Sequence, residues 1–489
     1  MQPNGNAVGY FVDRHAEARG TAIAFIDPWR TLTYDSLRAA TSRFAFALHQ
    51  AGIARERRIA LLMLDTVDFP VAFWGALRAG VVPVPINTLS TPEQVAYVLA
   101  DSRAAALIAS APLLPPLLPL LADLPDLRHI VAAPDGTQPS LDERQTGFIQ
   151  FVATGGPGAE PVPASADEVA FWLYSSGSTG TPKGVKHVHG SLRATADTYG
   201  AQVLGISADD LVFSAAKLFF AYGLGNAMTF PMSAGAGAVL LPDRPTADAV
   251  LSVMKRFQPT IFGGVPTLYA GLLAHAELGH GAGSARLRRC ISAGEPLPEA
   301  IGRRWSARVG VEILDGLGST EMLHIFLSNT PGDVQYGTSG RPVPGYEVTI
   351  VDDAGAAVPD GQTGALIVRG PSAAEGYWNQ RAKSRQTFRG EWTHTGDTYV
   401  REPNGAYRYC GRVDDMMKVS GIWVSPFEVE AALIAHPAVL EAAVVGHRDA
   451  EGLIKPKAFV VLQASAADAS QETLHQQLKE HVQESIGVW

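Results

Sequence analysis

A chain of 489 residues exceeds what one hydrophobic core holds, so two or more domains are expected. Apolar residues at 46% and charged residues at 18% exclude a disordered or fibrous protein. A net charge of −9 offers no general attraction for nucleic acid or anionic lipid, so neither is expected as a partner.

The opening stretch MQPNGNAVGYFVDRH has no basic segment leading into an apolar core, so no signal peptide is expected. TYDSLRAATSRFAFALHQAGI then sets Leu37, Ala40, Phe44 and Leu48 at helical spacing, with Gly52 as the stop. RRIALLMLD and GVVPVPIN read as short buried parallel strands. Thr91 reads as an N-cap with Pro92 at the first helical position, and RAAALIAS returns to a strand. That rhythm predicts a doubly wound α/β architecture. Residues 111–125 are apolar but carry five prolines, a poor membrane span. Residues 134–166, rich in Pro, Gly, Ala and Ser, read as a loosely structured connection.

Further on, GAVLLP, PTIFGGVP, RRCISAGEP and GVEILDGLGSTE each end a strand-like run in Gly or Pro. Ligands in open α/β sheets collect at the carboxyl ends of strands, so these loops are expected to converge on one site. From about residue 340 the texture turns to β, with YEVTIVDD and GALIVRG flanking the turn DGQTG. Ser425-Pro426-Phe427-Glu428 reads as a capping box with proline at the first position. The expected division is a large N-terminal domain over 1–411, with α/β sheets and a β-rich subdomain, and a small α+β domain over 412–489. Cys290 and Cys410 stand far apart in no CxxC spacing, which argues against a disulfide framework or a cysteine metal site and suits a reducing cytoplasm.

The densest chemical signal is SSGSTGTPKG at 175–184, following the strand-like AFWLY. Its glycines (Gly177, Gly180) let backbone N–H groups approach an anion. Ser175, Ser176, Ser178, Thr179 and Thr181 add hydroxyl donors, and Lys183 adds a mobile positive charge. Pro182 before Lys183 and Gly184 after it rule out a Walker A loop, and no GxGxxG, GxSxG or HExxH occurs.

YSSGSTGTPKGVKHVHG resembles the phosphate loop of the adenylate-forming superfamily, which holds acyl- and aryl-CoA synthetases, peptide-synthetase adenylation domains and firefly luciferase. SAGEP (292–296), DGLGSTE (315–321), WTHTGD (392–397) and GRVDDMMKVSGIWVSPFEVE (411–430) match its further motifs in order, so the resemblance spans essentially the whole chain. It implies a nucleotide site formed by the 175–183 loop, Gly294, Glu295, Pro296, Asp315, Gly316, Leu317, Gly318, Ser319, Thr320, Asp397 and Arg412. Thr320 would donate to the α-phosphate, Glu321 would hold Mg²⁺, and Asp397 would accept the ribose hydroxyls. Lys183 would counter the leaving phosphates. Asp414 matches the family's hinge residue, and Lys418 and Gly421 fall on the segment that meets CoA in a mobile small domain.

SAAKLFFAYGLGNAMTFPM and GLGSTEMLHIFLSN resemble the benzoate-CoA ligase branch in particular. By that match Phe220, Ala221, Tyr222, Gly223, Gly264, Gly318, His324 and Ile325 would line a flat aryl pocket. Gly263-Gly264 depart from that branch's bulkier pattern, which predicts room for a ring substituent. The activity implied is an ATP-dependent aryl-CoA ligase acting on benzoate or an amino- or hydroxybenzoate through aryl-AMP. The partners implied are the aromatic acid, ATP, Mg²⁺ and CoA, with a homodimer left open. Two alternatives stand beside it: an adenylation enzyme loading a carrier protein, and an adenylate-binding protein with little turnover. The family's C-terminal glycine-lysine segment has no counterpart in HVQESIGVW, so a truncated small domain is expected.

Overall fold

The buried apolar runs become the parallel strands of two open sheets. The computed structural model describes residues 5–134, 145–154, 156, 158–175, 182–412, 417–419, 422–448, 454–463 and 471–486. One sheet is wholly parallel, in the order Val82–Pro85, Arg58–Leu62, Ala106–Ser110, His129–Ala133, Gln145–Gly147. A larger nine-stranded sheet has a parallel centre, ordered Ile23–Ile26, Gly237–Val239, Leu211–Ser214, Ile261–Gly264, Arg289–Ser292, Ile313–Gly318. Antiparallel strands close both of its ends. Helices cover these sheets, as the near-continuous hydrophobic strands require.

Local chemistry sets the helix ends. Thr91 Oγ1 accepts from Gln94 N–H while Gln94 Oε1 accepts from Thr91 N–H, a complete capping box that starts the helix Pro92–Ser102. Thr33 caps the helix Tyr34–Gln50, which buries Leu37, Phe44 and Leu48 of the predicted face and half-buries Ala40. Ser425 caps Pro426–Ala435 by accepting from Glu428 N–H, and the Glu428 carboxylate takes the Arg408 guanidinium at 2.7 Å. The five-proline stretch forms only a 3₁₀ turn, Ala111–Leu113, and the short helix Leu118–Leu121. Among the described residues no helix is long and apolar enough to cross a membrane.

Within 134–166 the structure departs from a loose connection. Gln145–Gly147 adds an edge strand and Phe148–Ala153 is helical. Phe148 and Phe151, one helical turn apart, both pack their rings on Phe44. Two aromatics at that spacing outweigh the polar composition around them.

The β texture after residue 340 is an antiparallel sheet in which Glu347–Val351 pairs with Thr363–Arg369, and that strand with Trp392–Arg401. Tyr407–Arg412 pairs on the far side of Trp392–Arg401. Beyond it lie two hairpins and the helices Pro426–Ala435 and Gln471–Ile486 around a separate apolar cluster centred on Val429, Leu433, Val444 and Leu474. The whole is α/β, with a large N-terminal part and a small C-terminal part.

Candidate active site

The carboxyl ends of four parallel strands meet at one place. Ser214, Gly264, Ser292 and Gly318 end their strands, and the residues that follow them line two adjoining cavities. One cavity, of about 550 Å³, is mainly polar: Ser175, Lys183, Gly294, Glu295, Pro296, Gly316, Leu317, Glu321, Asp397 and Arg412 face it. The other, of about 820 Å³, is mainly apolar, with Leu64, Phe219, Phe220, Ala221, Tyr222, His324 and Ile325 among its walls. Phe220, Gly294, Gly318, Ser319 and Thr320 border both.

Asp397 and Arg412 are directly opposed across the Trp392–Arg401 and Tyr407–Arg412 strands, and their side chains pair at 3.0 Å. Burial raises the Asp397 carboxyl above its ordinary value, and the Arg412 charge opposes that shift. Gly396 has φ +77°, and a Cβ there would lie 2.8 Å from an Arg412 nitrogen. Glycine at that position is what lets the guanidinium lie across the strand.

Ser175 and Lys183 are register partners in the antiparallel pair Val169–Ser175 and Lys183–Val188, so the two ends of the predicted phosphate loop lie side by side. The strand Gly376–Tyr377 pairs next to it. That register delivers Tyr377 to the cavity, where its hydroxyl donates to Glu321 Oε1 at 2.8 Å. The Lys183 ammonium lies 4.5 Å over the Tyr377 ring centre. Burial lowers the Lys183 pKa, and the Glu321 carboxylate works against that. Among the described residues Glu321 has no ion-pair partner, so a carboxylate facing a phosphate-sized space keeps capacity for a hard cation, which fits Mg²⁺.

A tight turn splits the roles of the two sides. Thr320 and Glu321 face the polar cavity, while His324 and Ile325 face the apolar one. Between them Leu323 holds φ +65°, a left-handed conformation that a leucine pays for with about 1 kcal/mol. The Thr320 carbonyl accepts from His187 Nε2 at 2.8 Å, and the Ala374 N–H donates to the Glu321 carbonyl at 2.8 Å. Both bonds hold the turn open toward the cavity.

His324 is buried among Phe230, Tyr199 and Tyr222, with ring centres 4.5, 5.1 and 5.7 Å away. Its Nε2 donates to the Tyr222 carbonyl at 3.3 Å, and burial lowers its pKa to about 3. The imidazole is therefore neutral and serves as a flat wall. The Tyr222 hydroxyl lies 3.0 Å from the carbonyls of Gly264 and Ile291, which ties this wall to the ends of two strands.

Three sequence expectations are not met by the geometry. Asp315 lines neither cavity: it is 4% exposed, and its Oδ2 accepts the Leu297 N–H at 3.4 Å inside the core. It sits three residues before Gly318 on a strand, so its side chain falls on the buried face. Gly223 lies behind the aromatic wall of the apolar cavity, where a Cβ would collide with the Lys217 carbonyl. Gly264 faces Tyr269, 3.0 Å from a notional Cβ, and Gly263 faces Ser214 and Asn226, so these glycines do not enlarge the apolar cavity. Residues Ser176–Thr181, Asp414 and Gly421 lie outside the described residues, as does the side chain of Lys418. The sequence reading did not include Tyr377, Thr395 or Tyr174, all of which face the polar cavity.

The AMP-binding enzyme family matches residues 12–378, and the AMP-binding enzyme C-terminal domain matches 428–489. The chain belongs to this adenylate-forming family, and within it to the benzoate-CoA ligase type. It is 53% identical over 485 residues to the 4-hydroxybenzoate-CoA/benzoate-CoA ligase of Rhodopseudomonas palustris, covering 99% of this chain and 89% of that protein. Among solved structures, a benzoate CoA ligase from Burkholderia xenovorans LB400 superposes with a TM-score of 0.91 at 49% identity, covering 99% of this chain and 94% of that one. An anthranilate CoA ligase in complex with anthranoyl-AMP superposes with a TM-score of 0.94 at 40% identity, covering 99% and 91%.

Proposed function

We propose that this chain is an AMP-forming aryl-CoA ligase whose reaction centre is the shared wall between the two cavities. The observation that carries this reading is that Gly294, Gly318, Ser319 and Thr320 border both an apolar, aromatic-walled space and a polar space holding Asp397, Arg412 and Glu321. An aryl carboxylate seated against Tyr222 and His324 directs its oxygens at that wall. There one oxygen attacks the ATP α-phosphorus, the bond to pyrophosphate breaks, and aryl-AMP forms. The CoA thiolate then attacks the acyl carbon, and AMP leaves with the carboxylate oxygen.

Asp397 accepts the ribose hydroxyls and Arg412 holds Asp397 in place. Thr320 donates to the α-phosphate, and Lys183 follows the departing phosphates. Bound at Glu321, Mg²⁺ would neutralise phosphate charge that otherwise repels the carboxylate. The segment from Ser175 to Lys183 supplies the remaining phosphate donors. We assign the large domain to 1–411 and the small domain to 412–489, with Asp414 as the hinge and Lys418 and Gly421 on the CoA side.

The preferred acid is benzoate or a ring-substituted relative carrying an amino or hydroxyl group. Benzoate and 4-hydroxybenzoate are the named substrates of the Rhodopseudomonas relative, and anthranoyl-AMP occupies one of the similar structures. The test incubates the enzyme with ATP, Mg²⁺ and CoA against benzoate, 2-aminobenzoate, the hydroxybenzoates and aliphatic acids. Aryl-CoA and AMP should form in equal amounts. Preference for an aliphatic acid over every arene, or thioester on a carrier protein with none on CoA, overturns the reading.

A further inference from the structure

We propose that Asp65 is a positioning residue for the aryl acid: it pins the backbone of Leu218 and thereby sets the wall from Ala215 to Tyr222. This inference rests on the reading of the apolar cavity as the aryl-acid site. Asp65 lies just after the strand Arg58–Leu62 of the five-stranded sheet, whereas Leu218 follows Leu211–Ser214 of the nine-stranded sheet. Asp65 is 3% exposed, and its Oδ1 and Oδ2 lie 3.2 and 3.3 Å from the same Leu218 N–H. These are the only hydrogen bonds its carboxyl makes among the described residues. The neighbouring Lys217 ammonium favours the ionised form but is itself committed to the carbonyls of Leu241 and Asp243.

A buried carboxylate held by one backbone amide is a costly way to stabilise a fold, because desolvation exceeds what a single bond returns. The return here is local control. Leu64, the preceding residue, lines the apolar cavity, and so do Lys217, Phe219, Phe220 and Tyr222. Phe220 N–H donates to the Lys217 carbonyl at 3.0 Å, and Gly223 packs against that same carbonyl. A shift of the Lys217–Leu218 peptide therefore passes to Tyr222, and through the Tyr222 carbonyl to His324. Of the wall from Ala215 to Tyr222, Phe220 alone also borders the polar cavity, so the effect falls mainly on the aryl-acid side.

The test measures KM for benzoate and for ATP separately in D65A, D65N and D65E. D65A should raise the KM for benzoate about 10-fold, the loss of one charged hydrogen bond, with KM for ATP changing by no more than about twofold. D65N keeps an acceptor oxygen and should return the benzoate KM to within about threefold of wild type. D65E, longer by a methylene, should displace Leu218 and behave like D65A; if D65A does not fold, the contrast between D65N and D65E decides. Equal rises in both KM values, or wild-type benzoate KM in D65A and D65E, overturn the inference. A wild-type enzyme that prefers aliphatic acids refutes the reading of the cavity instead, and the two failures are thus distinguishable.

Discussion

The Tyr377 hydroxyl donates to Glu321 Oε1 at 2.8 Å, and the same ring carries the Lys183 ammonium on its face at 4.5 Å. One side chain thus meets both the candidate metal ligand and the lysine proposed to counter the leaving phosphates. Y377F removes the hydrogen bond and keeps the ring. Pyrophosphate release should slow by about 10-fold, consistent with one hydrogen bond to a charged group. Y377L, which also loses the cation–π contact, should slow it further by roughly threefold. Equal rates in Y377F and wild type would remove Tyr377 from the machinery.

Asp397 is nine-tenths buried and paired with Arg412, so truncation removes both this pairing and the carboxylate proposed to accept the ribose hydroxyls. D397A should weaken ATP binding by about 100-fold, from two lost charged hydrogen bonds, and D397N by less. Isothermal titration with ATP in the absence of aryl acid measures this directly.

Asp315 gives a stability signature. Burial raises its carboxyl well above the ordinary value in the folded state. The unfolded chain ionises it near pH 4, so above that pH ionisation stabilises the unfolded state and stability falls as pH rises toward the folded value. Asn cannot ionise in either state and keeps an oxygen for the Leu297 N–H. D315N should therefore match wild type in Tm near pH 4 and exceed it at pH 7. Its ATP-dependent activity should stay within about threefold of wild type, because the side chain reaches neither cavity.

His324 stays neutral from pH 5 to 9, since its pKa lies near 3. The pH profile of kcat/KM for benzoate should show no step attributable to it. H324A opens one side of the aryl wall and should raise KM for benzoate by about 10-fold, with a stability loss of about 2–4 kcal/mol from the cavity left behind. KM for ATP measured in the same assay should not move.

Much of this architecture is legible in the residues themselves. Short apolar runs with glycine or proline ends mark the parallel strands, and the capping residues Thr91 and Ser425 mark helix starts. Thr320, Glu321, Asp397 and Arg412, all drawn from the ordered motifs, line one cavity. What stays hidden depends on pairing between distant strands. Tyr377 sits in AEGYWNQ with no local sign of a role, and only the pairing of Tyr377 with Val185 brings it to Glu321 and Lys183. Asp315 misleads because motif membership says nothing about which face of a strand a side chain takes. Asp65 is silent for the opposite reason: its partner is a backbone amide 153 residues away.

The shared border of the two cavities has an evolutionary consequence. Gly318, Ser319 and Thr320 border both cavities, so under the proposed function a change there should alter acid choice and nucleotide chemistry together. Leu64, Thr88 and Leu113 touch the apolar cavity alone. Acid preference can drift among descendants through those outer positions while the adenylating half-reaction stays intact, and libraries for new arenes belong there.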